Sequence, residues 1–137
     1  MQRILVAIDG SSGSEKALEV AVKQAQIHGG QVIALAVLRR PGDPALERIT
    51  EAARAEARSR LEDVLQAAVH FARSRGVPLT PLLREGHPAE TIVTCAEQEK
   101  VELVVLGSHN GHGRPSGLGG TADQVSNHAP CTVMIVR

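Results

Sequence analysis

The residues best suited to chemistry lie between positions 107 and 121, which read GSHNGHGRPSGLGGT. Six of the chain's 13 glycines fall there. Glycine has no Cβ, so its backbone N–H groups can approach a ligand closely. The stretch runs into a helical pattern at Thr121, and a helix N-terminus favours an anion. Those features together describe a phosphate cradle, and a flexible surface loop is the plain alternative. The other candidate is Asp9, which closes the apolar run Ile4 to Ile8. Its carboxylate can accept hydrogen bonds from a ribose hydroxyl or hold a metal-bound water. Equally, it is a turn residue of the kind common after strands. His109 and His112 lie three apart, with no third histidine or cysteine nearby in sequence, and read as loop histidines rather than metal ligands. No nucleophile–base pair is visible.

Neither familiar phosphate fingerprint fits. A Walker A loop needs a lysine that this chain lacks, and the dinucleotide pattern belongs in the first strand–helix turn. Here that turn holds Asp9 to Ser14 instead.

These residues need a scaffold. Continuous apolar runs at Ile4–Ile8 and Val32–Leu38 predict strands buried on both faces, and the runs Val101–Leu106 and Cys131–Val136 predict two more strands. Val77 to Glu85 predicts a fifth, weaker strand. Pro78 and Pro81 confine it to a sheet edge. Helical spacing joins the strands: Ala17, Leu18, Ala21, Val22 and Ala25, then Leu61 to Ala72, then Ile92 to Ala96, then Thr121 to Ala129. Ser12 with Glu15, and Thr121 with Gln124, have capping-box spacing. Gly29 and Gly30 end the first helix. The second helical pattern begins near Ala45. Continued to Arg75 it would span roughly 45 Å, so a break is expected near residues 40 to 52. The order predicts a parallel α/β sheet with helices on both faces. In such sheets a ligand sits beyond the carboxyl ends of the strands, where strand order reverses.

Composition narrows the function. The 137 residues suit one domain over 1–137, and an apolar share of 42% is enough for a real core. Phe71 is the only aromatic residue, which removes the stacking platform that single-stranded nucleic acid needs. Net charge is zero, so neither nucleic acid nor an anionic membrane surface is an expected partner. No run approaches the ~20 apolar residues of a membrane span, and no signal-peptide pattern opens the chain. Cys95 and Cys131 lack metal-ligand spacing and read as small buried thiols, reduced in a cytoplasm.

Three segments carry a resemblance to the universal stress protein family, small single-domain type. Residues 4–11, ILVAIDGS, resemble its opening strand and turn. Residues 85–90, EGHPAE, resemble its third strand–helix turn. Residues 107–137 resemble its glycine-rich loop, last helix and closing strand. The resemblance implies an open five-stranded parallel sheet in the order 3-2-1-4-5. It implies ATP, with or without Mg²⁺, as ligand. By the same resemblance Ala7, Ile8, Asp9 and Val37 border adenine and ribose. Leu106, Gly107, His109, Asn110, Gly120, Thr121, Ala122 and Asp123 border the phosphates. Gly107, Gly120 and Thr121 match the ATP-binding branch in register. Two positions depart from it. Asn110 replaces a glycine, the mildest exchange where a left-handed backbone is needed. Asp123 replaces a hydroxyl residue and sets a negative charge near a triphosphate.

The family commonly pairs through its last strand. Here that implies a homodimer through Thr132, Val133, Met134, Ile135 and Val136, an apolar edge without proline. The leading expectation is a cytoplasmic, ATP-binding, dimeric stress-response module, not an enzyme, with room for slow ATP hydrolysis. The alternative is a nucleotide-free dimeric interaction protein. A third reading, an enzyme of the adenine nucleotide α-hydrolase type, needs a substrate pocket for which the chain hardly has length.

Overall fold

The computed structural model describes residues 2–40, 50–108 and 120–137. Nine elements follow one another: β1 (Arg3–Ala7), α1 (Ser12–His28), β2 (Gln31–Leu38), α2 (Glu51–Ser74), β3 (Leu79–Glu85), α3 (Pro88–Gln98), β4 (Leu103–Gly107), α4 (Thr121–His128) and β5 (Thr132–Val136). The five strands form one parallel sheet in the order β3-β2-β1-β4-β5, as the sequence implied.

Strand alternation builds two cores. Ile4, Val6, Ala34 and Val105 point toward Ala17, Ala21, Val22 and Ala25 of α1 and Leu65, Ala68 and Ala72 of α2. Leu5, Leu35, Val104 and Leu106 point toward Ile92, Cys95 and Ala96 of α3 and Val125 of α4. Alanines on the helix faces let the helices lie close to the sheet, so a core nearly without aromatics still closes. Both cysteines are free; Cys95 is buried and Cys131 half-buried. Burial pushes both thiols up, which keeps them protonated and slow to react.

Two details differ from the sequence reading. The first helix is capped by Ser11, whose hydroxyl accepts from the Ser14 amide at 3.2 Å, so Ser12 is already its first helical residue. The fourth helix is capped by Gly120 with no side-chain hydrogen bond, so Thr121 lies inside the helix and forms no capping box with Gln124. The third strand, weak in sequence, is regular, and it lies at the sheet edge that its prolines require. It pairs with β2 over seven positions, Leu79 opposite Val32 through Glu85 opposite Leu38. Pro81 is exposed on this edge strand, and Pro78 precedes the strand while its carbonyl accepts from Val32 at 2.9 Å. The second helix starts at Glu51 behind a Thr50 cap. Most of the expected break near 40 to 52 lies outside the described residues.

At the end of β3, Glu85 forms ion pairs with Arg54 and Arg58. The Arg54 guanidinium, by hydrogen bond and then by charge, holds the Glu85 carboxyl below its ordinary 4.5. A depressed folded-state pKa adds stability that is present above the unfolded value and lost as pH falls through the folded one. The carboxyl is solvent-exposed, so the effect is small. Glu85→Gln is therefore expected to flatten slightly the loss of stability below about pH 4.5, seen in urea midpoints at neutral and acidic pH.

Candidate functional site

All four helices begin at the carboxyl end of the sheet. There, where α1 and α3 leave on opposite faces and β1 lies between β2 and β4, a cleft of roughly 250 Å³ opens. Its apolar wall comes from Ala7, Ile8, Leu35, Val37, Ile92 and Leu106. Its polar wall holds Asp9, Ser11, Ser14, Arg39 and Thr121.

The turn after β1 explains how Asp9 is presented. Its Oδ1 accepts from the Ser11 amide at 2.9 Å. Its own amide donates to Ser14 Oγ at 3.2 Å, and that hydroxyl donates onward to the Ser11 carbonyl at 3.1 Å. Ser14 is buried, and its hydroxyl both accepts and donates within the turn. The turn reading of Asp9 is thus correct as local structure. A carboxylate offers about four acceptor positions, so one hydrogen bond from Ser11 leaves capacity for a ligand hydroxyl. One residue earlier, the Ile8 amide donates to the Leu35 carbonyl at 2.9 Å, which ties this turn to β2.

The opposite side of the cleft is the start of α4. Gly120 caps it without a side chain, and α3 likewise starts at His87 and Pro88 without a side-chain cap. Serine and threonine side chains cap α1 and α2. Both helix starts left without such caps border the cleft, through Pro88 and through Thr121 and Ala122, and the capped start of α1 borders it as well, through Ser11 and Ser14. Uncapped first-turn amides carry the partial positive charge that attracts an anion.

The structure brings Ala7, Ile8, Asp9, Val37, Leu106, Gly107, Thr121 and Ala122 to this one cleft. Gly120 and Asp123 flank it on α4 without lining it. His109 and Asn110 lie outside the described residues, as does His112. Gly107 is held by packing: a Cβ built there would stand 2.7 Å from the Gly13 carbonyl oxygen. Sequence reasoning missed Ser11, Ser14, Leu35, Arg39, Pro88 and Ile92. Arg39 had a signal: it directly follows β2, at the same end of the sheet as Asp9. The remaining histidines, His28, His70, His87 and His128, are exposed. Among the described residues no group of three acidic, histidine or cysteine side chains is placed to hold a metal ion. No helix among them is long and apolar enough to cross a membrane.

The family model for the universal stress protein family matches residues 1–137. The chain belongs to that family. It is 35% identical over 137 residues to a universal stress protein encoded in the QAH/OAS sulfhydrylase 3′ region of Thermus aquaticus, covering 98% of this chain and 97% of the relative. Among solved structures it is similar to universal stress protein UspA from Lactobacillus plantarum, at 28% identity and a TM-score of 0.87, over 99% of this chain and 97% of the other. The universal stress protein from Archaeoglobus fulgidus in complex with dAMP shares the fold at 24% identity and a TM-score of 0.72, over 100% of this chain and 98% of that one.

Proposed function

We propose that this universal stress protein binds an adenine nucleotide in the cleft at the carboxyl end of β1, β2 and β4. The observation that carries the reading is the pairing of two unlike walls in one space. Apolar side chains from three strands suit a base, and the uncapped start of α4 suits phosphate. Asp9, between them, suits a ribose hydroxyl. The dAMP-bound relative, which shares the fold, supports an adenine nucleotide as the ligand class. ATP is the form we favour. With no metal cluster among the described residues, Mg²⁺ would arrive on the phosphates. Among the described residues lining the cleft no nucleophile is paired with a base, and the role we favour is binding rather than fast chemistry, in a cytoplasmic dimer.

Asp123 favours a second reading, a nucleotide-free interaction protein. It sits in the first turn of α4, where a carboxylate satisfies the dipole and repels a phosphate. The two readings separate in one experiment. Asp123→Ser is expected to tighten ATP binding about threefold, since solvent and Mg²⁺ screen most of the repulsion. It should also reduce the dependence on Mg²⁺. Calorimetry with ATP, ADP and AMP, with and without Mg²⁺, checks this. If neither the natural chain nor Asp123→Ser binds any of the three at millimolar ligand, the nucleotide-free reading stands.

A further inference from the structure

A second groove, of about 540 Å³, opens on the α1–α2 side of the sheet. It meets the nucleotide cleft at Asp9, Val37 and Arg39, which line both. Its floor is apolar, with Leu61 and Val64 of α2 beside Gly10 and Leu38. Its rim is cationic, with Arg39, Arg54 and Arg60. Two carboxylates face the same space, Asp9 and Asp63, and Asp9 is partly engaged by the Ser11 amide. At the same end of the sheet the single carboxylate of Glu85 feels three guanidinium groups, Arg54, Arg58 and Arg40. Among the described residues guanidinium groups therefore outnumber carboxylates here, in a chain whose net charge is zero.

Arg54 adds an independent observation. Its terminal nitrogen bonds Glu85 and donates to the Arg39 carbonyl at 3.4 Å. Its Nε is buried and finds no acceptor among the described residues. A buried donor without an acceptor is costly, and an arginine fork is suited to anions that offer several oxygens. The first cleft leaves this donor unexplained, because Arg54 does not line it.

We propose that this groove is a second ligand site, which takes a small phosphorylated molecule with an apolar body. The phosphate meets Arg54 and Arg60 on the rim, and the apolar body rests on Leu61 and Val64. The site stands apart from the nucleotide reading, since Arg54 and Arg60 lie outside the first cleft. The wall at Arg39 brings the two ligands next to each other.

The probes are inorganic phosphate, phenyl phosphate and AMP, added to the full ¹⁵N-labelled chain. Phenyl phosphate is expected to shift the side-chain Nε–H signals of Arg54 and Arg60. It should bind about tenfold more tightly than inorganic phosphate, through the apolar floor. Arg60→Gln, on an exposed helix position, should weaken phenyl phosphate about fivefold by removing one charge-assisted contact. The same variant should leave AMP affinity unchanged. Arg54→Gln, whose partner Glu85 keeps Arg58, serves as the second variant. The proposal is overturned if neither arginine signal moves at millimolar phenyl phosphate, or if both variants bind it as the natural chain does. AMP acts as the separate arm: shifts confined to Thr121 and Ala122 amides support the first cleft alone, and silence there with shifts at Arg54 and Arg60 sinks the nucleotide reading while upholding this one.

Discussion

Gly107→Ala is expected to lower the thermal midpoint by roughly 6 °C, from a loss of about 2 kcal/mol. The cause is contact with backbone rather than conformational freedom. Gly107 ends β4 directly beneath the first turn of α1. The added Cβ would sit 2.7 Å from the Gly13 carbonyl oxygen and 2.8 Å from its carbonyl carbon. A side chain could rotate away, but a helix backbone cannot. Either α1 lifts from the sheet or the end of β4 moves outward. Both moves disturb the cleft, because Gly107 and Ser11 line it from the two sides. The nucleotide affinity that we propose should therefore fall along with stability. Urea and thermal denaturation, followed by an AMP titration of the variant, check both. A variant with the natural midpoint would show that β4 and α1 have slack at this point.

This result would also reassign the glycine. In sequence Gly107 looks like the first residue of a phosphate loop. In the structure its demand is already met by the approach of Gly13. The residue can serve a ligand only because it first serves the packing of β4 against α1.

The fold was legible because its signals are redundant. Four apolar runs are long enough to be strands, and each of the first three is followed by a helical pattern. The third strand was harder to read, since prolines weaken its pattern. Its position depends on β2, which supplies its whole register of partners. The caps were harder still. Ser11, Ser12 and Ser14 offer several plausible caps, and only the backbone turn at Asp9 selects Ser11. The same limit governs the cleft. Asp9, Leu106 and Thr121 were visible because they end or begin elements at one end of the sheet. Ile92 and Ser14 were not, because each reaches the cleft from one turn inside a helix, where sequence shows only core spacing. Arg54 was the least visible of all. Its helix reads as a solvated charged face, and only the packing of α2 beside β3 sets it against Glu85 and leaves its Nε without an acceptor.

Ile135→Lys is expected to abolish the dimer that we propose through β5. Within the described residues β5 pairs with β4 alone, so its outer edge presents N–H and C=O groups that a second copy can pair. Of the five β5 residues expected at the interface, Val133 and Ile135 share one face of the strand, and burial separates them. Val133 packs on the α3–α4 core, so a lysine there would damage the fold as well as any interface. Ile135 lies on the same side of the strand, yet it is 42% exposed, a large apolar residue with little of this chain over it. In a two-fold interface each substitution occurs twice. A central contact is worth about 2 kcal/mol, so two copies should weaken association roughly a thousandfold. Ile27→Lys is the control. Ile27 is also exposed and apolar, at 62%, but it lies in the last turn of α1 and not on β5. It should leave the dimer intact. Sedimentation at micromolar concentration distinguishes the outcomes: a dimeric natural chain and Ile27→Lys variant beside a monomeric Ile135→Lys variant support the strand pairing. A natural chain already monomeric, or an Ile135→Lys chain still dimeric, would place any association elsewhere on the molecule.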